Sequence, residues 1–423
     1  MTASTPNPMS WNHRLALFAG LWVARVLWSS GLGPSDGELM VWVGQEFVAP
    51  FPAPFGLIAL ASPGVALLGD HPGALRLLFN GLAAAPILLV GRHPAAVALA
   101  ATLPILAVPG GLATCAGPMA ALWLAAMALA PKRPGLSGLA CGATAAFHPI
   151  GLLVVLPAML RARSRIWLLL TAALTALPFV PGSLWSTSQG LTGELSHIGL
   201  GVCTVVLGGP FLVMGTLAGL TGSAAQRLEA ASVLVAIGAI VASSAPVATL
   251  AGPLALAIRI VAPSPPLSQG PLPAPHRTAW RSVGIAAVTS ITLLGIFRFP
   301  LVPVEVDPRG RFVDTATLAQ TVNAWDLPTV YALSPPDIAR LRWHGIRATT
   351  PPPVHPLELP HDILLVMPQS ADPDLPIHMG WDHDRETVSQ VVAYLDGADA
   401  TDSRPAAAWT VTVWRRPFER RSP

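Results

Sequence analysis

Between Met1 and Phe299 this chain carries only six carboxylates, Asp36, Glu38, Glu46, Asp70, Glu194 and Glu229, in a background of Leu, Ala, Val, Gly and Pro. A stretch of that length and polarity cannot cover a water-exposed fold, and bilayer spans are what it suits. The rest of the chain differs in kind. Between Pro300 and Pro423 lie 16 of the 22 Asp+Glu and 11 of the 25 Lys+Arg. The whole chain is 11% charged, against about 25% for a typical soluble domain. Two domains are therefore expected: a membrane domain over 1–299 and a water-exposed domain over 300–423.

A net charge of +3 and a pI near 9.1 would suit a nucleic-acid binder. Here the basic residues sit in short clusters between apolar runs, which is the mark of cytoplasmic loops, so no nucleic acid is expected. Cys115, Cys141 and Cys203 lie in or beside apolar segments and form neither a disulfide framework nor a CxxC metal pattern. The first apolar run lacks a small-residue cleavage site after a short core, so it is expected to be retained as a span.

That first span is expected at 15–29. Two interfacial helices follow within 36–68, at 36–48 and 54–68. Further spans are expected at 75–90, 95–108 and 119–130. Only residues 134–160 separate Lys132-Arg133 from Arg161, Arg163 and Arg165. Each arm of an out-and-back path there has about 12 residues, roughly 18 Å of helix, against a hydrocarbon core of about 30 Å. A short hairpin turning at Ala146-Phe147-His148-Pro149 fits better than two full crossings. Spans at 166–180, 200–220, 231–242, 246–260 and 283–297 complete about 11 crossings. With the N-terminus inside, Arg14, Arg92, Lys132, Arg133, Arg161, Arg163, Arg165, Arg227, Arg277 and Arg281 fall on the cytoplasmic side. The opposite loops hold Arg76, apart from Arg298 at the last exit. Asp36 and the C-terminal domain then share the outer face. In that domain strand-like runs at 329–333, 363–367 and 409–414 alternate with helical ones at 336–343 and 386–395. The expected class is a mainly α polytopic membrane protein with a small C-terminal α/β or α+β domain.

The order of these features resembles the GT-C glycosyltransferases, in the branch holding the protein mannosyltransferases and the lipid A aminoarabinose transferases. Their first outer loop opens with an Asp-Glu pair followed by aromatics; here Ser35-Asp36-Gly37-Glu38 precedes Trp42. Leu68-Gly69-Asp70 and Arg76 resemble the family's Gly-Asp and Arg before the second span. Trp185, Gln189-Gly190 and His197 resemble its Trp-Asn-x-Gln-x-Gly loop. The likeness spans nearly the whole chain and rests on arrangement. It implies a membrane enzyme of the bacterial inner (cell) membrane, an inverting hexosyl or pentosyl transferase. Such an enzyme takes a sugar from a polyprenyl-phosphate carrier at the outer face and hands it to a lipid, glycan or protein acceptor. Several landmarks depart from the pattern. Gly37 splits the acidic pair, and Phe51-Pro52-Ala53-Pro54 lacks the family's basic residue. Ala116 stands where a second loop carries an acid, and His148 where a Lys meets the donor phosphate.

The reaction implied by this resemblance needs a base for the acceptor hydroxyl and positive charge for the departing phosphate. Asp36, just before a helix at the membrane boundary, is the candidate base, with helix capping as the alternative. Glu38 is either a second catalytic acid or the partner of a basic group. For the phosphate, Arg25 and Arg76 offer fixed charge and a bidentate fork. The alternatives are a buried counter-ion for Arg25 and an interfacial anchor for Arg76. His148, charged only part of the time near neutral pH, is either a ligand or a turn residue before Pro149. Trp42, Gln189 and His197 complete the expected substrate contacts. Some GT-C enzymes use a divalent metal ion at the catalytic acids; with Ala116 in place of an acid, no residue is assigned to one. His378, Trp381, Asp382, His383 and Asp384 do not follow a zinc spacing and read as an exposed polar loop. A catalytically inactive GT-C-fold protein, binding a lipid-linked sugar or a membrane partner, is the alternative function. A transporter would show paired ionisable residues deep in spans or repeat symmetry, and the sequence displays neither.

Overall fold

The computed structural model describes residues 9–30, 36–46, 53–91, 94–107, 110, 112–182, 215, 219, 222–243, 245–261, 319–320, 322–324, 330–332, 335–349, 362–368, 399–406 and 409–415. The spans expected at 200–220 and 283–297, the helix at 386–395 and the polar group around His378 lie outside these residues. By backbone contact the chain forms two compact units. One is Met1–Gly33 with Val41–Val302, the other Pro34–Met40 with Pro303–Pro423.

Proline punctuates the first unit. Helix α1 is Trp11–Ser30, α2 Asp36–Val43 and α3 Phe55–Leu68. Then come α4 (Pro72–Ala84), α5 (Pro86–Leu89), α6 (Pro94–Thr102) and α7 (Pro104–Ala107), each opening on a proline. That is the helix position where a missing N–H costs nothing and a fixed φ helps. Helix α8 is Ala116–Leu129 and α9 is Pro134–Ala143. Past α9 the helix is interrupted at Phe147 and His148, where the hairpin turn is expected, and resumes as a 3₁₀ stretch, Pro149–Val154, running into α10 (Val155–Arg161). Helices α11 (Arg165–Ala176), α12 (Ala224–Ala242) and α13 (Ala251–Val261) follow. A capping box sets the start of α12: Gln226 N–H donates to Ser223 Oγ, and Ser223 N–H to Gln226 Oε1 at 2.8 Å.

These breaks keep the helices short. Among the described residues one stretch, Pro72–Leu89, is long and apolar enough to cross a bilayer; the other apolar helices run 10–17 residues. Their surroundings are apolar on both sides. Helix α8 is buried nearly all round, and its Trp123 ring lies against Gly252 of α13. On the outside, Leu27 of α1, Ile166, Leu174 and Leu177 on and beside α11, and Val235 of α12 are exposed. A water-facing helix would carry polar residues there; leucine and isoleucine suit a lipid face.

In the second unit, β1 (Val330–Ala332), α14 (Pro335–Trp343) and β2 (Ala348–Thr349) form a β-α-β crossover. Gly345, at φ 79°, makes the turn out of α14. With β3 (Asp362–Pro368), β4 (Asp399–Ala406) and β5 (Trp409–Arg415) the sheet order is β2-β1-β3-β5-β4. Strand β1 pairs in parallel with β2 and β3, while β5 is antiparallel to β3 and β4. Strand β4 was not expected from the sequence. Its run DATDSRPA has no apolar alternation because it is an edge strand, where polar residues discourage further pairing.

Close helix packing in the first unit depends on small residues. Gly138 and Gly142 lie four apart on α9 and face α11. A Cβ on Gly138 would overlap Thr171 Oγ1 and the Leu168 carbonyl, and one on Gly142 would press on the Ala172 carbonyl. The same approach lets Thr171 Oγ1 donate to the Gly135 carbonyl at 3.0 Å. Small residues four apart allow helix backbones to touch in lipid, where dispersion and polar contacts drive association. Gly138→Ala is therefore expected to push α9 from α11 and destabilise the protein by roughly 1–3 kcal/mol. Thermal unfolding in detergent, with Gly135→Ala as a comparison, checks this. An added Cβ at Gly135 meets only the Thr171 methyl, at 3.9 Å, and should have little effect.

Candidate functional site

Polar side chains gather where α1 ends and α4 begins. Helix α3 stops at Gly69 (φ 76°), whose N–H donates to the Val65 carbonyl at 2.8 Å. His71 then caps α4, its Nδ1 accepting from Gly73 N–H at 3.0 Å. Between them stands Asp70, and Trp42 of α2 donates from its indole Nε1 to Asp70 Oδ1 at 2.7 Å. The expected substrate residue Trp42 and the Gly-Asp landmark are thus directly joined.

One turn into α4, Arg76 is fully buried and donates to the carbonyl of Ser29 in the last turn of α1. Asn80, the next residue on that face, donates from Nδ2 to Ser29 Oγ and to the Arg76 carbonyl, both at 3.1 Å. A helix C-terminus presents carbonyls with no helical donor and a partial negative charge, and a guanidinium answers both. Arg76 is therefore part of the α1–α4 joint.

Arg25 lies one turn before Ser29 on the same face of α1. It is 6% exposed, and its Nη1 and Nη2 are buried without a hydrogen-bond partner among the described residues. Asn80 Oδ1 in the facing helix is buried and unsatisfied too. Nearby, Trp22 Nε1 donates to the Leu77 carbonyl at 2.8 Å and fixes the helix pair. The seam between α1 and α4 thus holds two guanidinium groups, one engaged with backbone and one not. A buried guanidinium without an acceptor is rare and marks a place where an anion belongs.

The acids divide. Asp36 is the first residue of α2, the position expected for a base or a cap, and its side chain lies outside the described residues. Glu38 is 1% exposed and shares a face of α2 with Trp42, four residues on. Gln189 and His197 lie outside the described residues. Among the described residues no three His, Cys, Asp or Glu side chains gather as a metal site. Ala116, where the family carries an acid, is fully buried and has no metal-binding group.

His148 is used locally. Its Nδ1 accepts from Ile150 N–H at 3.3 Å and caps the helical stretch that follows. With Nδ1 as acceptor the ring proton sits on Nε2 and the imidazole is neutral; Nε2 is buried without a partner. A cavity of about 620 Å³ lies beside it, lined by Ile150, Leu153, Leu156, Ala239 and Ser243 among others. No described hydrogen bond joins His148 to the α1–α4 seam. Asn80 and Ser29 are the members that sequence reasoning missed. The available signal was an amide four residues after an arginine on a helix that is otherwise apolar.

No protein-family model matches the chain, and no curated protein is similar to it in sequence. Two solved structures match it in fold. Apo ArnT from Cupriavidus metallidurans superposes with a TM-score of 0.59 at 12% identity, covering 95% of this chain and 98% of that one. The same enzyme bound to undecaprenyl phosphate gives 0.57 at 11%, covering 96% and 98%. Over nearly its whole length, the chain thus has a fold similar to that of ArnT.

Proposed function

We propose that the protein is a glycosyltransferase that moves a sugar from a polyprenyl-phosphate carrier to a lipid, glycan or protein acceptor at the outer membrane face. The observation that carries this reading is the whole-chain likeness to a transferase whose second structure holds undecaprenyl phosphate. In this reading Asp36 takes the proton of the acceptor hydroxyl as its oxygen attacks the anomeric carbon. The bond from that carbon to the phosphate oxygen breaks, and the phosphate leaves with the electron pair. Arg25 supplies the unspent positive charge for that phosphate, and Arg76 holds the end of α1 against α4. Glu38 orients the acceptor or a basic partner of Asp36. Trp42, braced by Asp70, offers its ring to the sugar, with Gln189, His197 and His148 as further contacts. The N-terminus lies in the cytoplasm and residues 300–423 form an extracytoplasmic domain.

A second reading has its own support: Ala116 is apolar and buried where the family carries an acid, and His148 serves as a cap where it carries Lys. Those features suit a GT-C-fold protein that binds a lipid-linked sugar without turning it over.

Asp36→Asn separates the two. Loss of a positioned base typically costs 10²- to 10⁴-fold, so carrier release from a panel of polyprenyl-phosphate sugars should fall by about 100-fold or more. Carrier binding and thermal stability should stay near wild type. Binding without release in the wild type, unchanged by Asp36→Asn with Glu38→Gln, would instead establish the inactive binder. Arg25→Met tests the phosphate role. Removing a buried group with no partner should raise stability by about 1–3 kcal/mol. The same change should weaken carrier binding at least tenfold. A variant both less stable and equally able to bind would show Arg25 to be a packing residue.

A further inference from the structure

At the ends of other helices a second charged group has no part in the reaction above. Glu229 of α12 is fully buried, and both its carboxylate oxygens are taken by Arg161, the last residue of α10: Nε donates to Oε1, and Nη2 to Oε2 at 2.8 Å. Arg161 keeps about a quarter of its side chain exposed. Arg259, in the last turn of α13, lies within electrostatic reach of both. It is half-buried and makes no hydrogen bond among the described residues. One carboxylate, already bonded through both oxygens to Arg161, thus carries a single negative charge against two guanidinium groups. The carbonyl ends of α10 and α13 favour arginines there without consuming their five N–H donors each. Exposed Arg163 and Arg165 follow Arg161 in the chain, and exposed Arg227 precedes Glu229 on α12, so all three lie at the same end.

From this arrangement we infer that the basic patch where α10 and α13 end and α12 begins is a binding site for the phosphate head of an anionic phospholipid, with Arg259 as the main contact and Arg161 as the second. The acyl chains would lie along the exposed apolar face of α12, where Leu228, Leu234 and Val235 are open. Such continuity of a basic patch with an exposed apolar helix favours a lipid head over free phosphate. Basic pockets between spans on the cytoplasmic side are where anionic heads dock. The site is independent of the glycosyl-transfer reading.

The test uses the full-length protein in phosphatidylcholine nanodiscs with or without phosphatidylglycerol, read by native mass spectrometry for retained lipid and by thermal unfolding. Phosphatidylglycerol should be retained on wild type and raise its unfolding temperature. Arg259→Gln should lower that retention by about five-fold, near 1 kcal/mol for one lost cation. Arg227→Gln, at an exposed position, should change it little. Equal losses from both substitutions would show only a general surface potential and overturn the site. Equal stabilisation by inorganic phosphate in phosphatidylcholine alone would make it a free-anion site and overturn the lipid assignment. Because Arg259 makes no hydrogen bond among the described residues, Arg259→Gln should unfold like wild type in phosphatidylcholine, and the comparison stays readable.

Discussion

The bond from the Arg76 guanidinium to the Ser29 carbonyl is the contact on which the candidate site depends. In hydrocarbon an unpaired backbone carbonyl costs several kcal/mol, so a helix that ends within protein needs a donor there. Arg76 supplies it, and Asn80 adds a second tie to the same residue. Those ties fix where α1 ends against α4. From the other direction, Trp42 and Asp70 tie α2 to the start of α4. Loop residues that carry chemistry are useful only when a rigid frame positions them, and these bonds are that frame.

The same frame leaves Arg25 as the group with unused capacity. A histidine that caps a helix through Nδ1 is neutral, and Ala116 contributes nothing ionisable. Among the described residues, α1 and α4 bring the fixed charges of Arg25 and Arg76 to one seam. A guanidinium keeps its charge under almost any burial, so one arginine can stand in for a lysine that would be neutralised there. The altered landmarks are then compatible with carrier binding even where they weaken the expectation of a metal.

Much of the membrane part was legible because apolar runs and proline both act locally. The helix Phe55–Leu68 and the break at Phe147-His148 follow from run length and from Pro149. The starts of α4, α6 and α9 at Pro72, Pro94 and Pro134 follow from the rule that proline suits the first turn. Pairings across helices were not legible. Nothing in sequence spacing ties Arg76 to Ser29, 47 positions away, or Arg161 to Glu229, 68 positions away. Glu229 stood out as an acid in an apolar run, yet periodicity does not name its partner. In the second unit, the runs with β-branched and aromatic residues were visible, whereas the polar edge strand β4 had no period to read.

Arginine is used in two ways in the membrane part, and the difference follows from charge supply. Residues 1–299 hold 14 Lys+Arg against six Asp+Glu. With so few acids, most cations must rely on backbone carbonyls, water, lipid heads or a bound anion. Arg14 takes the first course, donating to the Ile87 and Leu88 carbonyls, and Arg76 does the same at Ser29. Arg161 has the one buried carboxylate at its end of the bundle. Among the described residues Arg25 and Arg259 take neither course, and each lies near the C-terminal end of its helix. A buried cation without an internal partner costs stability, and an anion from outside the chain offsets that cost. On that reasoning the shortage of acids in residues 1–299 leaves cations for anions to complete, which is the common ground of the carrier role proposed for Arg25 and the lipid role proposed for Arg259.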